Sequence, residues 1–429
     1  MCQVTGDTRR RDSRPGGRSI YTAAMRLNRF CLLLAGVVAV LVGRGQAQSP
    51  WQMEPPGTTA DLRGIDAVSD SIAWASGTGG TVLRTTDGGA TWQKCVVPDG
   101  AHDGASLDFR GIQGFGASTA VVMASGPGAK SRLYKTTDGC RTWNLLFTNP
   151  DAPQGFFDSF WFNGIDGMVL GDPVDGRFEV FFTHNSGRSW KHDKHKGLTV
   201  NGRQLAAFAA SNRCIPQGNR LFARGFATGG KNGPVYFSRP FYPYEQIKGI
   251  LAHVGRKEPP WVQYRMGPAT GRASAGVFAM AYRYPMTTGI CERCGFGENA
   301  IFMAVGGDYE KPEETAGTAA WSADGGETWN AAVKAPHGYR SAVEWSRTLQ
   351  VWITVGKNGS DISRDDGQKW EPLDEGDWNA LSLPFAVGPG GRIGRLTLQA
   401  REPEGAAVPG PTHIKPPVIS TGRRGSKRP

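Results

Sequence analysis

Five copies of one eight-residue pattern limit what this chain can fold into more than any other feature. They run from Thr85 to Trp92, Thr136 to Trp143, Thr183 to Trp190, Ser322 to Trp329 and Ser363 to Trp370, on the pattern Ser/Thr-x-Asp-x-Gly-x-x-Trp with one departure in each of two copies. The chemistry is that of a tight turn. The Asp side chain accepts backbone N–H groups, the Gly takes a geometry other residues resist, and the Trp opens the next strand with a large face to bury. The structural residues are Asp87, Asp138, Asp324 and Asp365 with Trp92, Trp143, Trp329 and Trp370; the third copy has Asn185 with Trp190. In the second copy Cys140 replaces the Gly. Either substitution loosens the turn without abolishing it.

This pattern is the Asp-box, or BNR repeat, and the same strand order surrounds each copy. In the first unit Leu62 to Ile65, Ile72 to Ala75, Val82 to Arg84 and Trp92 to Val96 read as four short strands between Gly-rich turns. Four strands in roughly 40 to 50 residues make a blade of a β-propeller. The box tryptophans are spaced 51, 47, 139 and 41 residues apart. The long gap is explained if Phe237-Ser238 and Trp261 to Tyr264 are the halves of a box split by an insert at 239–257. A second insert, 284–299, carries Cys291-Glu292-Arg293-Cys294. Asn379 to Ile393 supplies the early strands of one more unit, and Trp51 to Glu54 resembles a final strand. The expected fold is therefore all-β: a seven-bladed propeller whose last blade is closed by the N-terminal strand, which removes exposed edges.

The ends read differently. Met25 to Arg29 leads into the apolar run Phe30 to Gly43 and then Gly45-Gln46-Ala47, a secretory signal layout beginning at Met25. The run is short for a bilayer span, so cleavage after Ala47 is expected over an uncleaved anchor. The organisation expected is a targeting segment at 1–47, the propeller at 48–398 and a disordered basic Pro/Gly-rich tail at 399–429. The net charge of +11 divides accordingly: +6 in residues 1–47, +4 in 399–429, and +1 in the body. A nucleic-acid footprint on the folded part is excluded. The five cysteines beyond the leader leave at least one thiol unpaired in a monomer, and a lone CxxC is weak support for a metal site. There is no nucleotide fingerprint and no haem or metal motif, so neither cofactor nor metal is expected.

Beyond the boxes, several stretches carry a family likeness: Leu62-Arg63-Gly64-Ile65, Gly171 to Gly176, Ala207 to Ser211, Ser274 to Phe278, Gly306 to Tyr309 and Gly338 to Ala342. Through these, residues 50 to 398 resemble the photosystem II stability/assembly factor family, and still more its bacterial relatives in non-photosynthetic organisms. The sequence departs from that pattern at Leu205, where an acidic residue is expected, and at the two inserts. The resemblance implies an exported, seven-bladed, non-enzymatic assembly or interaction factor.

The first strand of each blade lines the central channel. Arg63 and Arg110 occupy equivalent places in Arg-Gly-Ile triplets, Arg340 a comparable one, and Asp158 the corresponding slot of the third blade. Inward arginines beside an acid make a polar, partly cationic patch suited to carboxylates or an acidic peptide; salt-bridging among themselves is the plainer reading. The expected partner is a protein or peptide, or else a glycan; membrane contact comes only through an uncleaved leader, and the ring is a monomer. No catalytic residue is assigned. The alternative is a sialidase-like or other glycoside hydrolase, with three arginines gripping a carboxylate or a carboxylate pair drawn from Asp158, Asp172, Asp308 and Glu310. Against it, the Arg-Ile-Pro of sialidases is absent and Arg63-Gly64-Ile65 stands in its place.

Overall fold

The computed structural model describes residues 49–98, 102–151, 153–217, 225–230, 233–238, 261–264, 271–284 and 300–399. The leader, the basic tail, the body of both inserts and the CxxC lie outside the described residues. Among the described residues the strands form five four-stranded sheets, one of three strands and one of six, all antiparallel between neighbours and arranged as a β-propeller.

The first sheet joins Leu62–Ala67, Ala73–Gly77, Val82–Thr85 and Gln93–Lys94. The second joins Phe109–Gly114, Ala120–Ala124, Arg132–Thr136 and Asn144–Thr148, and the third Phe157–Asn163, Asp166–Val174, Arg177–Thr183 and Lys191–His192. In the first two sheets the second strand is wholly buried and the outer strand is the most exposed, because each sheet packs against a neighbour on both faces and its outer edge meets water. That is why Ala73–Gly77 and Ala120–Ala124 read as continuous small or apolar runs and do not alternate.

The fourth sheet, Gly225–Ala227 with Val235–Ser238 and Trp261–Tyr264, pairs Ser238 with Trp261. Those are the two ends of a box, so the split-box expectation matches the strand register. The six-stranded fifth sheet joins Leu205–Ala206 and Gly229–Gly230 to Ala275–Arg283, Ile301–Asp308, Ala319–Ser322 and Asn330–Ala331. It extends this far because Gly229 pairs with Gly276, where a Cβ on Gly276 would lie 2.2 Å from the Gly229 Cα. The sixth sheet comprises Ala342–Ser346, Val351–Gly356, Gly359–Ser363 and Glu371–Asp374. In the closing sheet Trp51–Met53 pairs with Ile393–Leu396, beside Phe385–Val387 and Ala380–Ser382. The first strand thus joins the last sheet, as its sequence suggested.

The hydrophobic core is a set of clusters, each lying between neighbouring sheets. Trp92 packs with Phe385 between the first and closing sheets, Trp190 with Phe147 and Phe162 between the second and third, and Trp370 with Met303 and Trp352 between the fifth and sixth. The box turns hold their shape by one repeated scheme. Thr85 Oγ1 donates to Asp87 Oδ1 at 2.8 Å and accepts the Gly89 N–H at 3.0 Å, while Thr91 gives Asp87 its N–H at 2.9 Å and its hydroxyl at 2.5 Å. Cys140 adopts φ 64° at the box glycine position and still donates its N–H to Thr136 at 3.0 Å. It forms a disulfide with Cys95, at the end of the first sheet, across a sequence separation of 45 residues. The substitution that loosens the second turn therefore ties the first two sheets together covalently.

Candidate functional site

The channel end of the inner strands is shaped by a one-residue β-bulge that recurs around the ring. In the first sheet Leu62 faces Gly77 and Gly64 faces Ser76, which leaves Arg63 as the extra residue. The same irregularity singles out Arg110 between Phe109 and Gly111, Asp158 between Phe157 and Ser159, and Phe278 between Val277 and Ala279. A bulge re-aims the side chain it carries, and four inner strands use it at one level. Arg63, Arg110 and Asp158 therefore share equivalent positions, as their spacing suggested.

Arg340 does not. Leu62 donates its N–H to the Gly388 carbonyl of the neighbouring sheet at 3.1 Å; Arg340 does the same to Gly306 at 2.8 Å and Trp378 to Gly356 at 3.0 Å. Arg340 is thus the counterpart of Leu62, one residue before the bulge slot, and a one-residue step turns a side chain to the other face. In that position Leu62, Phe109 and Phe157 are core, and Arg340 is likewise 0% exposed. Its guanidinium is held by Asp361 (Nε to Oδ2, 2.6 Å), by the Tyr339 carbonyl at 2.7 Å and by Asn358 at 2.6 Å. Arg340 is a buried structural arginine and leaves the channel patch, so Arg63, Arg110 and Arg340 do not form one cluster.

The remaining two arginines share one carboxylate. Arg110 Nε donates to Asp108 Oδ2 at 2.7 Å and Arg63 Nε lies 3.8 Å from Oδ1, all three side chains keeping 23–31% exposure at the rim. Beneath them Asp158 is 1% exposed, and its Oδ2 has no partner. Burial, then the nearby Asp172 charge, pushes the Asp158 carboxyl well above the usual carboxylate range, with Arg110 opposing. Asp172, at the bulge of the adjoining strand, is raised to about 6 by burial, and it accepts the Ala207 N–H at 2.9 Å. Asp308, the other candidate for a hydrolytic pair, spends its oxygens on Arg272 at 3.0 Å and on the Glu310 N–H at 3.0 Å.

The sector across the mouth is aromatic. Phe208 stacks on Phe278 with centroids 3.8 Å apart, Tyr339 meets Phe278 edge-on at 4.8 Å, and Tyr309 closes the group with 40% of its surface exposed.

Residues 207–217 cross the channel itself. Their contacts reach the inner strands of most of the ring: Arg110 donates to the Ala209 carbonyl, Asn212 Oδ1 accepts the Phe160 N–H at 2.8 Å, and Ser211 Oγ donates to Ser341 O at 2.6 Å. Arg213 donates to Leu381 O at 3.2 Å, lies 3.9 Å from Glu344, and its carbonyl accepts the Met280 N–H. Where other sheets carry a one-residue bulge, the chain here leaves after Ala206 and rejoins its neighbour only at Cys214, whose carbonyl accepts the Ala227 N–H. The mouth is thus floored by the chain's own loop. Ala207 to Ser211 carries a family likeness but no periodicity that marks a loop, and five cysteines alone leave their pairing open.

No protein-family model matches the sequence, and no curated protein sequence does. Among solved structures, YCF48 bound to D1 peptide matches with a TM-score of 0.52 at 15% identity, covering 82% of this chain and 97% of that one. YCF48 from Cyanidioschyzon merolae gives 0.47 at 16% identity, covering 81% and 98%. The computationally designed Ika8 protein gives 0.42 at 10%, covering 79% and 96%. Over about four-fifths of its length this chain is similar in structure to the β-propeller of YCF48, a photosystem II assembly factor.

Proposed function

We propose that the chain is an exported, non-enzymatic, seven-bladed propeller that binds a protein or peptide partner at the mouth between Arg63 and Arg110 on one side and Tyr309 and Phe278 on the other. The observation that carries the reading is the recurrent bulge, which gathers two guanidiniums, a carboxyl and an aromatic ring at one level of the channel. A guest at the rim meets the partly exposed guanidiniums before the buried Asp158, so a carboxylate on the partner is accommodated. A peptide guest also agrees with the D1 peptide bound to the structurally similar YCF48.

Seven blades are supported by the hydrophobic clusters, which join the first sheet to the second and onward through the fourth and fifth to the closing sheet, then back to the first. Export is supported by the Cys95–Cys140 disulfide, since such bonds persist in oxidising compartments, together with the signal layout ahead of Gln48. The test is affinity capture from envelope extract with the mature chain, residues 48–429, against Arg63→Glu/Arg110→Glu. A partner retained by the first and lost by the second is expected; equal retention sinks the arginine mouth, and turnover of a sialoside or glucan panel sinks the non-enzyme reading.

A further inference from the structure

The loop 207–213 touches the ring in the way a bound peptide would. Its side chains are mostly small, Ala207, Ala209, Ala210 and Ser211, and its hydrogen-bonded anchors are single bonds to groups of sheets other than its own: Ser341 O, Leu381 O through Arg213, the Phe160 N–H, Asp172 Oδ1 and the Arg110 guanidinium. Neighbouring rungs of its own sheet are limited to Leu205 with Gly230 and Ala206 with Gly229. Its ends are drawn together, for Cys214 Sγ donates to Phe208 O at 2.8 Å, while Cys214 and Ile215 are rooted in the core between the third and fourth sheets. Phe208, at the neck, is the loop's one large apolar anchor, stacked on Phe278; beyond it Ala209, Ala210 and Ser211 offer small side chains and point contacts, so little apolar area holds the tip in place.

We propose that the channel interior is a binding site for an extended peptide segment of small residues, and that loop 207–213 is its internal occupant, which an incoming segment displaces. The inference rests on the peptide-binding reading for the nature of the guest, but it concerns the passage below the rim, to which Arg110 contributes one bond through Ala209 O. The groups freed by displacement are backbone carbonyls, a backbone N–H and a carboxyl, all of which an extended chain can engage.

The test places a thiol at the loop tip of the full chain, Ser211→Cys, and follows maleimide labelling at that position by peptide mass spectrometry across a urea series. Local displacement gives labelling that hardly responds to low urea, whereas labelling through global unfolding rises with the full urea slope. A synthetic acetylated peptide copying residues 206–213 is then added, with a scrambled version as control. The expected result is labelling through local displacement, accelerated about tenfold by the copying peptide and not by the scrambled one. Labelling that tracks global unfolding, or equal effects of the two peptides, overturns the proposal. Ala210→Cys, at a partly exposed position, supplies the same readout should Ser211→Cys not fold. Arg110 also donates to the Ala209 carbonyl of the loop, so the comparison with the capture experiment uses Arg63→Glu alone; loss of the Arg63-dependent partner then leaves this result standing, and the reverse.

Discussion

Aspartates at the outer turns and aspartates at the inner bulges are the same residue in opposite circumstances. Asp87 and Asp138 receive hydroxyl and backbone donors on both oxygens, and these bonds hold their carboxyls down at about 2. Asp158 and Asp172 sit within reach of each other's charge in a buried setting, and both are pushed up. The outer set is repeated, saturated and permanently charged, so it serves as turn glue. The inner set is irregular from sheet to sheet and short of partners, which is the condition in which a group is left to meet a guest. Repetition in this chain marks scaffold, and departures from it mark the candidate site.

The sharpest way to break that division is Arg340, which leads into the inner strand but behaves as scaffold. Removing one partner of a fully buried ion pair strands the other, so Arg340→Leu is expected to cost about 4 kcal/mol in urea melts. This holds even though Leu62 fills the equivalent position comfortably. Arg340→Leu/Asp361→Leu should recover most of the loss. A single variant as stable as the parent would return Arg340 to the list of free channel residues.

The disulfide tests the outer side. Closing a loop across a separation of 45 residues is worth about 4 kcal/mol by chain entropy. Cys140→Gly restores the box consensus and relieves about 1 kcal/mol of left-handed strain, leaving a net loss of about 3 kcal/mol against the oxidised parent. Cys95→Ser, without that relief, should lose more. Equal midpoints for parent and Cys140→Gly would show that the box glycine alone governs this turn.

The inner carboxyls answer to pH. An acid whose folded value is raised contributes stability that is complete below the unfolded value, near 3.9, and is lost as pH rises through the folded one. For Asp172, raised to about 6, the loss is therefore expected between pH 4 and 7. Asp172→Asn keeps an acceptor for the Ala207 N–H and removes the titration. Urea melts should show it more stable than the parent at pH 8 by on the order of 2 kcal/mol, with the difference closing toward pH 4. A difference that is flat with pH would mean that the pair is solvated and not poised for a guest.

What the residues disclosed follows the same line. The boxes, the split fourth box at Ser238 and Trp261, the N-terminal strand at Trp51, and the shared slot of Arg63, Arg110 and Asp158 were legible because repeats impose register, and register predicts facing. Arg340 was misplaced by one residue because the Gly-Tyr-Arg-Ser stretch has no Arg-Gly-Ile triplet to fix its phase, and a period of two makes a one-residue error total. Loop 207–217 was illegible for the opposite reason: its contacts run to other sheets 35 to 168 residues away in sequence, as with Ala207 to Asp172 and Arg213 to Leu381, and no local pattern encodes them. The disulfide, across 45 residues, is likewise set by which blade neighbours which, although Cys140 in a glycine position was the visible sign of it.

The smallest effect sharpens the outer half of the comparison. Asn185 keeps the turn, accepting from Thr183 at 2.9 Å and from the Ser189 N–H at 2.9 Å, but its Nδ2 must donate to Ser189 Oγ at 2.8 Å, where Thr91 and Thr142 donate to a carboxylate in other boxes. Asn185→Asp reverses that bond and makes it charge-assisted, and bonds to an ionised acceptor are stronger than neutral ones. The gain is expected to be about 0.5 kcal/mol at neutral pH, seen as a higher urea midpoint with unchanged slope. It should vanish in acid as the new carboxyl protonates. A gain that persists below pH 2 would have to come from geometry, and charge would then not be what binds the outer turns together.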